Sequence, residues 1–390
     1  MTAATIPMGD RRWLWRDILA PLVITRVVLL WIGWLAQFIP PSSTYPLQDA
    51  VARGWQFTSY RLLDMWGRWD TGWYIGLVRE GYVVRGELTT VQSNLPFFPG
   101  YPLLVRLALW LFPATWRSDG VMLAAGVLVS NVLLVAGLIL LHRWVMAVTG
   151  DAGAAQRTVW YLLLFPTGFI FSCAYTEATF LFFVAAAFFA ATRRAWGWVG
   201  VAALGVGLTR PLGVLIVPAL LWLYLDSIQW RWRAIRANVL WIVAAPLGML
   251  AHLAYLYTLT GDFLAPLTVQ AAFFRKATWP WITVFVPVDY SPLTGFIEQF
   301  VIVLFVVVAV IACWRLPSAA YGLFALGQIV PSLFTGLLSS QLRYNMAAIT
   351  PFVLLALWGR HPVLDRLIQV LFFALQVLLM AAWSRFYWVA

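Results

Sequence analysis

The stretch Arg68-Trp69-Asp70-Thr71-Gly72-Trp73-Tyr74 sets a carboxylate beside a guanidinium and among Trp69, Trp73 and Tyr74. Burying an ionised acid without a partner is costly, and an acid at membrane depth is a functional candidate by default. Asp70 can serve as a general base that takes a proton from an attacking hydroxyl. Two plainer roles compete with that one: an ion pair with Arg68 or another loop arginine, and a cap on a helix running from Thr71 to Val78. Trp66, Trp69, Trp73 and Tyr74 recur at near-helical spacing. The spacing predicts an interfacial helix floated on its rings, with stacking on a sugar ring as the sharper alternative.

Other polar residues stand out against apolar surroundings. Glu177 follows Tyr175 by two positions inside an apolar stretch. It could orient a substrate hydroxyl, assist Asp70 or hold a divalent metal with it, and its plain role is an ion pair with Arg210 or Arg343. Arg210 and Arg343 present planar donor forks suited to a phosphate, where the plain alternatives are snorkelling and capping of helix ends. Arg275-Lys276 is a weaker candidate of the same kind, and Glu298 near a span start could pair with one of these arginines. His142, His252 and His361 lack ligand spacing, and Cys173 and Cys313 make no disulfide framework. No Gly-rich phosphate loop, nucleophile elbow or zinc motif is present, so ATP-driven transport and serine hydrolysis lack their usual residues.

These residues have to be positioned by a chain that is mostly apolar. Of 390 residues 63% are hydrophobic and 11% charged, well below the charged fraction of a soluble domain, so the fold class is an all-α polytopic membrane protein. The 24 Trp and 14 Tyr suit interfacial belts. A net charge of +11 is of a size seen in nucleic-acid binders, but the basic residues lie mainly in short connections between apolar runs, where topology accounts for them. Lys276 is the only lysine among 26 basic residues, an arginine bias that fits a GC-rich genome.

Apolar runs predict spans at about 18–39, 121–141, 158–173, 176–192, 196–209, 211–225, 238–259, 293–314, 319–338, 345–358 and 364–382, about eleven in all. The pairs 158–192 and 196–225 could instead be short helices meeting at kinks. Tyr101 to Phe112, punctuated by prolines, reads as a re-entrant or interfacial helix. Residues 1–17 show no clear cleavage site and read as an uncleaved signal anchor. With the N-terminus in the cytoplasm, Arg11, Arg12, Arg16, Arg143, Arg157, Arg193, Arg194, Arg231, Arg233, Arg236, Arg315, Arg360 and Arg366 fall inside, against Asp10, Asp17, Asp151, Asp226 and Asp365. The segment 40–98 carries Arg53, Arg61, Arg68, Arg79 and Arg85 against Asp49, Asp64, Asp70, Glu80 and Glu87, a neutral balance that an outside loop tolerates. Residues 1–390 form one domain, with a first outer loop at 40–120 and a second at 261–292. Tyr175-Thr176-Glu177, Thr209-Arg210-Pro211, the second outer loop and the stretch from Ser339 to Tyr344 all emerge on the face of the first loop.

The ordered set of motifs resembles the PIG-V family of membrane mannosyltransferases, of the C-type glycosyltransferase superfamily. The resemblance rests on the Arg68–Tyr74 stretch with Glu80-Gly81-Tyr82, on Asn94 with Phe97-Phe98-Pro99-Gly100-Tyr101-Pro102, and on Phe165-Pro166 with Tyr175-Thr176-Glu177. Thr209-Arg210-Pro211-Leu212-Gly213, Arg343-Tyr344 and Trp388-Val389-Ala390 complete it. Gly100 departs from the pattern, since relatives often carry a bulkier residue there. The resemblance implies a sugar, usually mannose, carried on a polyprenyl phosphate and moved with inversion to a hydroxyl of a glycolipid, glycan or protein at a non-cytoplasmic site. It implies Asp70 as base and Glu177 as a second site acid, with Arg210 and Arg343 as donor-phosphate ligands. Arg68, Trp69, Trp73, Tyr74, Tyr175 and Tyr344 are expected around the donor and acceptor.

The bacterial plasma membrane is the expected location, with a lumenal site in the endoplasmic reticulum as the alternative. No certain cofactor is implied, although Asp70 and Glu177 could share a divalent metal. A transporter or flippase of a lipid-linked sugar is the competing function, but it would need polar groups along the span interiors, where charges are scarce. A non-catalytic scaffold would leave the clustered polar residues unexplained.

Overall fold

In a computed structural model of the chain, residues 12–42, 56–285, 292–338 and 340–389 are described. Asp10, Arg11, Asp49, Arg53, Ser339, Ala390 and the part of the second outer loop at 286–291 lie outside them. Among the described residues the chain is all-helical, without strands. In order the helices are α1 (Leu14–Phe38), α2 (Thr71–Arg79), α3 (Gly100–Leu109), α4 (Asp119–Thr149), α5 (Ala152–Leu164), α6 (Glu177–Thr192) and α7 (Trp196–Thr209). There follow α8 (Pro211–Ser227), α9 (Ala237–Thr260), α10 (Pro292–Arg315), α11 (Ala319–Thr335), α12 (Gln341–Ala347), α13 (Thr350–Trp358) and α14 (Pro362–Ser384).

Five of these, α1, α4, α9, α10 and α14, are long and apolar enough to cross a membrane. The hydropathy pattern predicts some eleven spans of similar length, and the other apolar helices are shorter. The expected span 158–173 is instead α5 followed by a 3-10 turn at Gly168–Ser172. The expected span 345–358 is split between α12 and α13, because the Pro351 ring cannot follow an unbroken helix from α12. The ten residues of α3 reach about 15 Å and do not cross, as its length suggests. The second outer loop is itself helical in short turns at Ala265–Thr268 and Pro280–Phe285.

Local chemistry explains most of these boundaries. The Ser118 hydroxyl accepts from the Val121 N–H at 3.4 Å to start α4, and Gly150 ends it in the left-handed region at φ 66. The Asp151 carboxylate then accepts from the Ala154 N–H at 3.0 Å and starts α5. A residue before proline is forced out of the helical region, so α5 stops short of Phe165, which precedes Pro166, and α7 stops short of Arg210, which precedes Pro211. The carbonyls freed by the first break are satisfied from other helices. The Gln376 amide donates to Leu163 O at 2.8 Å and Phe165 O at 2.9 Å, and Arg26 donates to Gly168 O at 3.0 Å. Residues 161–180, which contain this break, are buried almost throughout. Irregular backbone at membrane depth requires that surrounding.

The longest helix, α4, separates two polar ends. At its C-terminal end Asp17 meets His142 at 3.2 Å, Asp151 pairs with Arg360 at 2.9 Å, Tyr161 donates to Asp365 at 2.6 Å, and Ser318 donates to Asp226 at 2.6 Å. Asp17, Asp151, Asp226, Arg360 and Asp365 are residues that the charge count groups on one face. Toward its N-terminal end, Gly126 packs on Ala174 and the Ser130 hydroxyl donates to Tyr175 O at 3.5 Å. The segment leading into Glu177 therefore meets α4 about 10 to 17 Å along it from Asp119.

Close approach of α7 and α9 depends on glycine. A Cβ on Gly207 would overlap the Ala245 carbonyl, and one on Gly200 would sit 2.7 Å from the Trp241 ring. Replacing Gly207 with Leu is expected to cost about 3 kcal/mol or more through overpacking. The check is the unfolding temperature of the purified protein, with Gly197→Leu as control, since a Cβ there meets nothing within 4 Å. Equal unfolding temperatures for the two variants would refute this account of the crossing.

Candidate active site

The first site residue is held by a phenol. The Tyr175 hydroxyl donates to Arg68 O at 2.9 Å and accepts from the Asp70 N–H at 3.1 Å, so it grips the peptide groups on both sides of Trp69. Trp69 takes the left-handed region at φ 49, a conformation that costs a bulky residue about 1–3 kcal/mol and persists only where its surroundings enforce it. Its buried ring packs on Trp388 with centroids 4.9 Å apart. Ala174 N–H donates to Trp66 O at 3.1 Å, so the first motif is fastened along the Tyr175-Thr176-Glu177 motif. Asp70 occupies the N-cap position of α2, yet its side chain makes no capping bond. Its carboxylate turns instead to Arg343, 2.6 Å away.

Glu177 opens α6 and is buried, with a side chain 1% exposed. Its Oε1 accepts from Arg210 Nη2 at 2.8 Å and lies 3.4 Å from Arg343 Nε. The four side chains form one chain of charges: Asp70, Arg343, Glu177, Arg210. Glu177 Oε2, Arg210 Nη1 and Arg343 Nε are buried without a hydrogen-bond partner, so the cluster retains one unsatisfied acceptor and two unsatisfied donors. Arg210 reaches Glu177 because Pro211 holds its backbone extended, at φ −151 and ψ 148.

Arg343 sits in the first turn of α12, which is entered through Ser340 at φ 74. The buried Glu298 carboxylate on α10 faces the backbone N–H groups of Ser340 and Gln341 at the start of this helix. Tyr344 lies beneath three guanidinium groups, with its ring centroid 5.6 Å from Arg210, 5.9 Å from Arg275 and 5.7 Å from Arg343. Arg275 also donates to the Tyr344 hydroxyl at 3.3 Å and to the Thr335 hydroxyl at 2.9 Å. Burial works against charge on Arg343, but Asp70 and Glu177 reverse the effect and hold its pKa well above the usual value. Burial would raise the Tyr344 phenol, and Arg275, Arg343 and Arg210 together bring it below its usual value.

Asp70, Glu177, Arg210, Arg343, Tyr175 and Tyr344 thus come together, and other expected contacts lie elsewhere. Arg68 turns to Asp64 at 2.7 Å and stacks on Phe386 at 4.1 Å; it is a buried brace of the loop. Trp66, Trp69 and Tyr74 are buried inside the protein, so the ring spacing marks packing and not a helix floated in lipid. Trp73 stacks on Phe97 at 5.8 Å, and Tyr74 meets Tyr101 and Tyr175 edge-on. The Asn94 side chain accepts from Val83 N–H at 3.1 Å and donates to Gly81 O at 2.8 Å, which ties the Glu80–Tyr82 and Asn94–Pro102 motifs into one loop. A Cβ on Gly100 would lie 2.9 Å from Leu208 O, which explains the small residue there.

Among the described residues no three His, Cys, Asp or Glu side chains gather as a metal site. Because the Arg343 guanidinium interacts with both acids, this donor set suits an anion and does not fit a divalent cation shared by Asp70 and Glu177. Sequence reasoning left Glu298 unassigned, although an acid at the start of an apolar span was its signal. Arg106 carried no such signal, and it donates to Val78 O at 2.9 Å and Leu77 O at 2.8 Å at the end of α2.

No family model and no curated protein matches the chain. Among solved structures it is similar to ArnT from Cupriavidus metallidurans bound to undecaprenyl phosphate, at 14% identity and TM-score 0.49, over 88% of this chain and 62% of that one. It is also similar to the Archaeoglobus fulgidus oligosaccharyltransferase in complex with zinc and sulfate, at 14% identity and TM-score 0.47, over 94% of this chain and 53% of that one. The chain thus spans only part of each neighbour.

Removing Arg343 leaves two acids without their shared cation. Arg343→Gln is expected to destabilise the protein by about 3 kcal/mol or more, and adding Asp70→Asn to recover part of that loss. Unfolding of the two single variants and the double variant checks this; strictly additive losses would mean that the pair is not coupled.

Proposed function

We propose that the protein is a membrane glycosyltransferase that moves a sugar, mannose by its sequence resemblance, from a polyprenyl-phosphate donor to a hydroxyl of a glycolipid, glycan or protein on the non-cytoplasmic face. The observation that carries this reading is the charge chain, in which Arg343 holds the carboxylate of Asp70 on one side and that of Glu177 on the other. A donor phosphate would compete with these carboxylates for Arg343 and Arg210, and charge-assisted bonds to phosphate are strong enough to do so. That exchange would loosen Asp70 from Arg343 and leave it to accept the proton of the acceptor hydroxyl.

The acceptor oxygen then forms a bond to the anomeric carbon as the bond from that carbon to the phosphate oxygen breaks. The proton passes to Asp70, and the polyprenyl phosphate departs with its developing charge met by Arg343 and Arg210. Attack opposite the leaving phosphate inverts the anomeric centre. Glu177 orients Arg210 and Arg343 and offers its unpaired Oε2 to a sugar hydroxyl. A mostly apolar cavity of about 310 Å³, lined by Leu77, Pro102, Leu103 and Leu208 with Arg106 and His252 in its wall, suits the isoprenoid part of the donor, and Leu208 stands two residues before Arg210.

The test is transfer from labelled polyprenyl-phosphate mannose in membranes. Wild type is expected to label a lipid or protein fraction, and Asp70→Asn to lose about 100-fold or more of that rate while keeping its fold. Undiminished transfer in the variant would overturn Asp70 as the base. A folded wild type that moves the intact donor across the bilayer and leaves no label on an acceptor would favour transport.

A further inference from the structure

A basic cavity lies at the end of α2 away from Asp70, and it shares Arg106 with the neighbouring apolar cavity assigned above to the donor's isoprenoid. It holds about 360 Å³ and is lined by Arg79, Arg106 and Arg117 with Leu109, Trp110 and Met122. Nine residues along α2 separate Arg79 from Asp70, about 13 Å, too far to touch a sugar held there. Among the described residues one acid pairs with these three guanidinium groups: Asp119 lies 2.6 Å from Arg79, and both side chains are nearly half exposed. A pair so exposed contributes little and exchanges readily for another anion. Arg117 Nε is buried without a hydrogen-bond partner. The cavity therefore carries excess positive charge and an unused donor.

Its depth indicates the source of the anion. Arg117 and Asp119 flank the start of α4, whose 31 residues reach about 46 Å and must emerge from a hydrocarbon core of about 30 Å. Beside them Trp110 is 76% exposed, Leu111 84% and Trp116 63%, the amphipathic and apolar side chains that settle at headgroup level. We infer that this cavity binds the headgroup of an anionic phospholipid. The phosphate meets Arg79 and Arg117, displacing Asp119, and the glycerol and first acyl carbons lie on Leu109, Trp110 and Met122. Arg106 stays on the α2 carbonyls and adds its charge to the wall.

The test uses the full chain in neutral detergent, titrated with dioctanoyl phosphatidylglycerol, dioctanoyl phosphatidylcholine and inorganic phosphate, with bound molecules counted by native mass spectrometry. Phosphatidylglycerol is expected to bind wild type and Arg210→Gln alike, which separates this cavity from the candidate active site. The Arg79→Gln/Arg117→Gln variant, folded as judged by an unchanged melting profile without lipid, is expected to bind it about tenfold more weakly or worse. Equal binding to that variant, or phosphatidylcholine binding as tightly as phosphatidylglycerol, would overturn the site. Inorganic phosphate binding as tightly as phosphatidylglycerol would overturn the lipid as its source.

Discussion

Two carboxylates brought into one largely buried cluster repel each other and lose hydration, and the Arg343 guanidinium, 2.6 Å from Asp70 and 3.4 Å from Glu177, stands between them and offsets both costs. Much of the architecture around the site serves to bring that guanidinium and the two acids within reach. Glu298 faces the first backbone N–H groups of the helix that carries Arg343. Tyr175 grips the backbone on both sides of Trp69 and so aims Asp70. Pro211 forces Arg210 out of its helix and onto Glu177. Each device is local, and together they set the separation of the charges.

The same end of the bundle is where the helices break. An unbroken apolar helix presents side chains only and keeps its peptide groups to itself. The interruptions at Pro166, Pro211 and Ala348-Ile349 release backbone groups and allow helix ends, where charged side chains can be aimed, to meet inside the protein. Gln376 and Arg26 take up the carbonyls freed at the first break, which is why two polar side chains occur inside otherwise apolar spans. The polar residues at the far end of α4 form a separate set of pairs, among them Asp17 with His142 and Asp151 with Arg360.

Much of the site was legible because charge in an apolar chain is conspicuous. Asp70, Glu177, Arg210 and Arg343 stand out by type alone, and all four are found in one cluster. Arg68 and the aromatic residues were harder to place, since an arginine beside an acid and rings at helical spacing look alike whether they face substrate, lipid or one another. The structure turns Arg68 to Asp64 and packs Trp69 on Trp388. Glu298 was visible as an acid, but its role consists of two backbone contacts to a helix more than forty positions away, and no local pattern encodes these.

The sequence by itself determined that the chain is helical and membrane-embedded and which acids and arginines are exceptional, because these follow from composition and from hydropathy over a span length. The breaks at Pro166 and Pro351 fell inside expected spans, and only the folded chain shows them. Only the tertiary structure decided the partners. Glu177 could pair with Arg210 or Arg343 as far as the sequence goes, and in the folded chain it contacts both. Asp70 could cap its own helix, and it reaches instead to a residue 273 positions away. Charge pairing falls off over a few ångströms, and distances of that order between remote segments are set by packing alone.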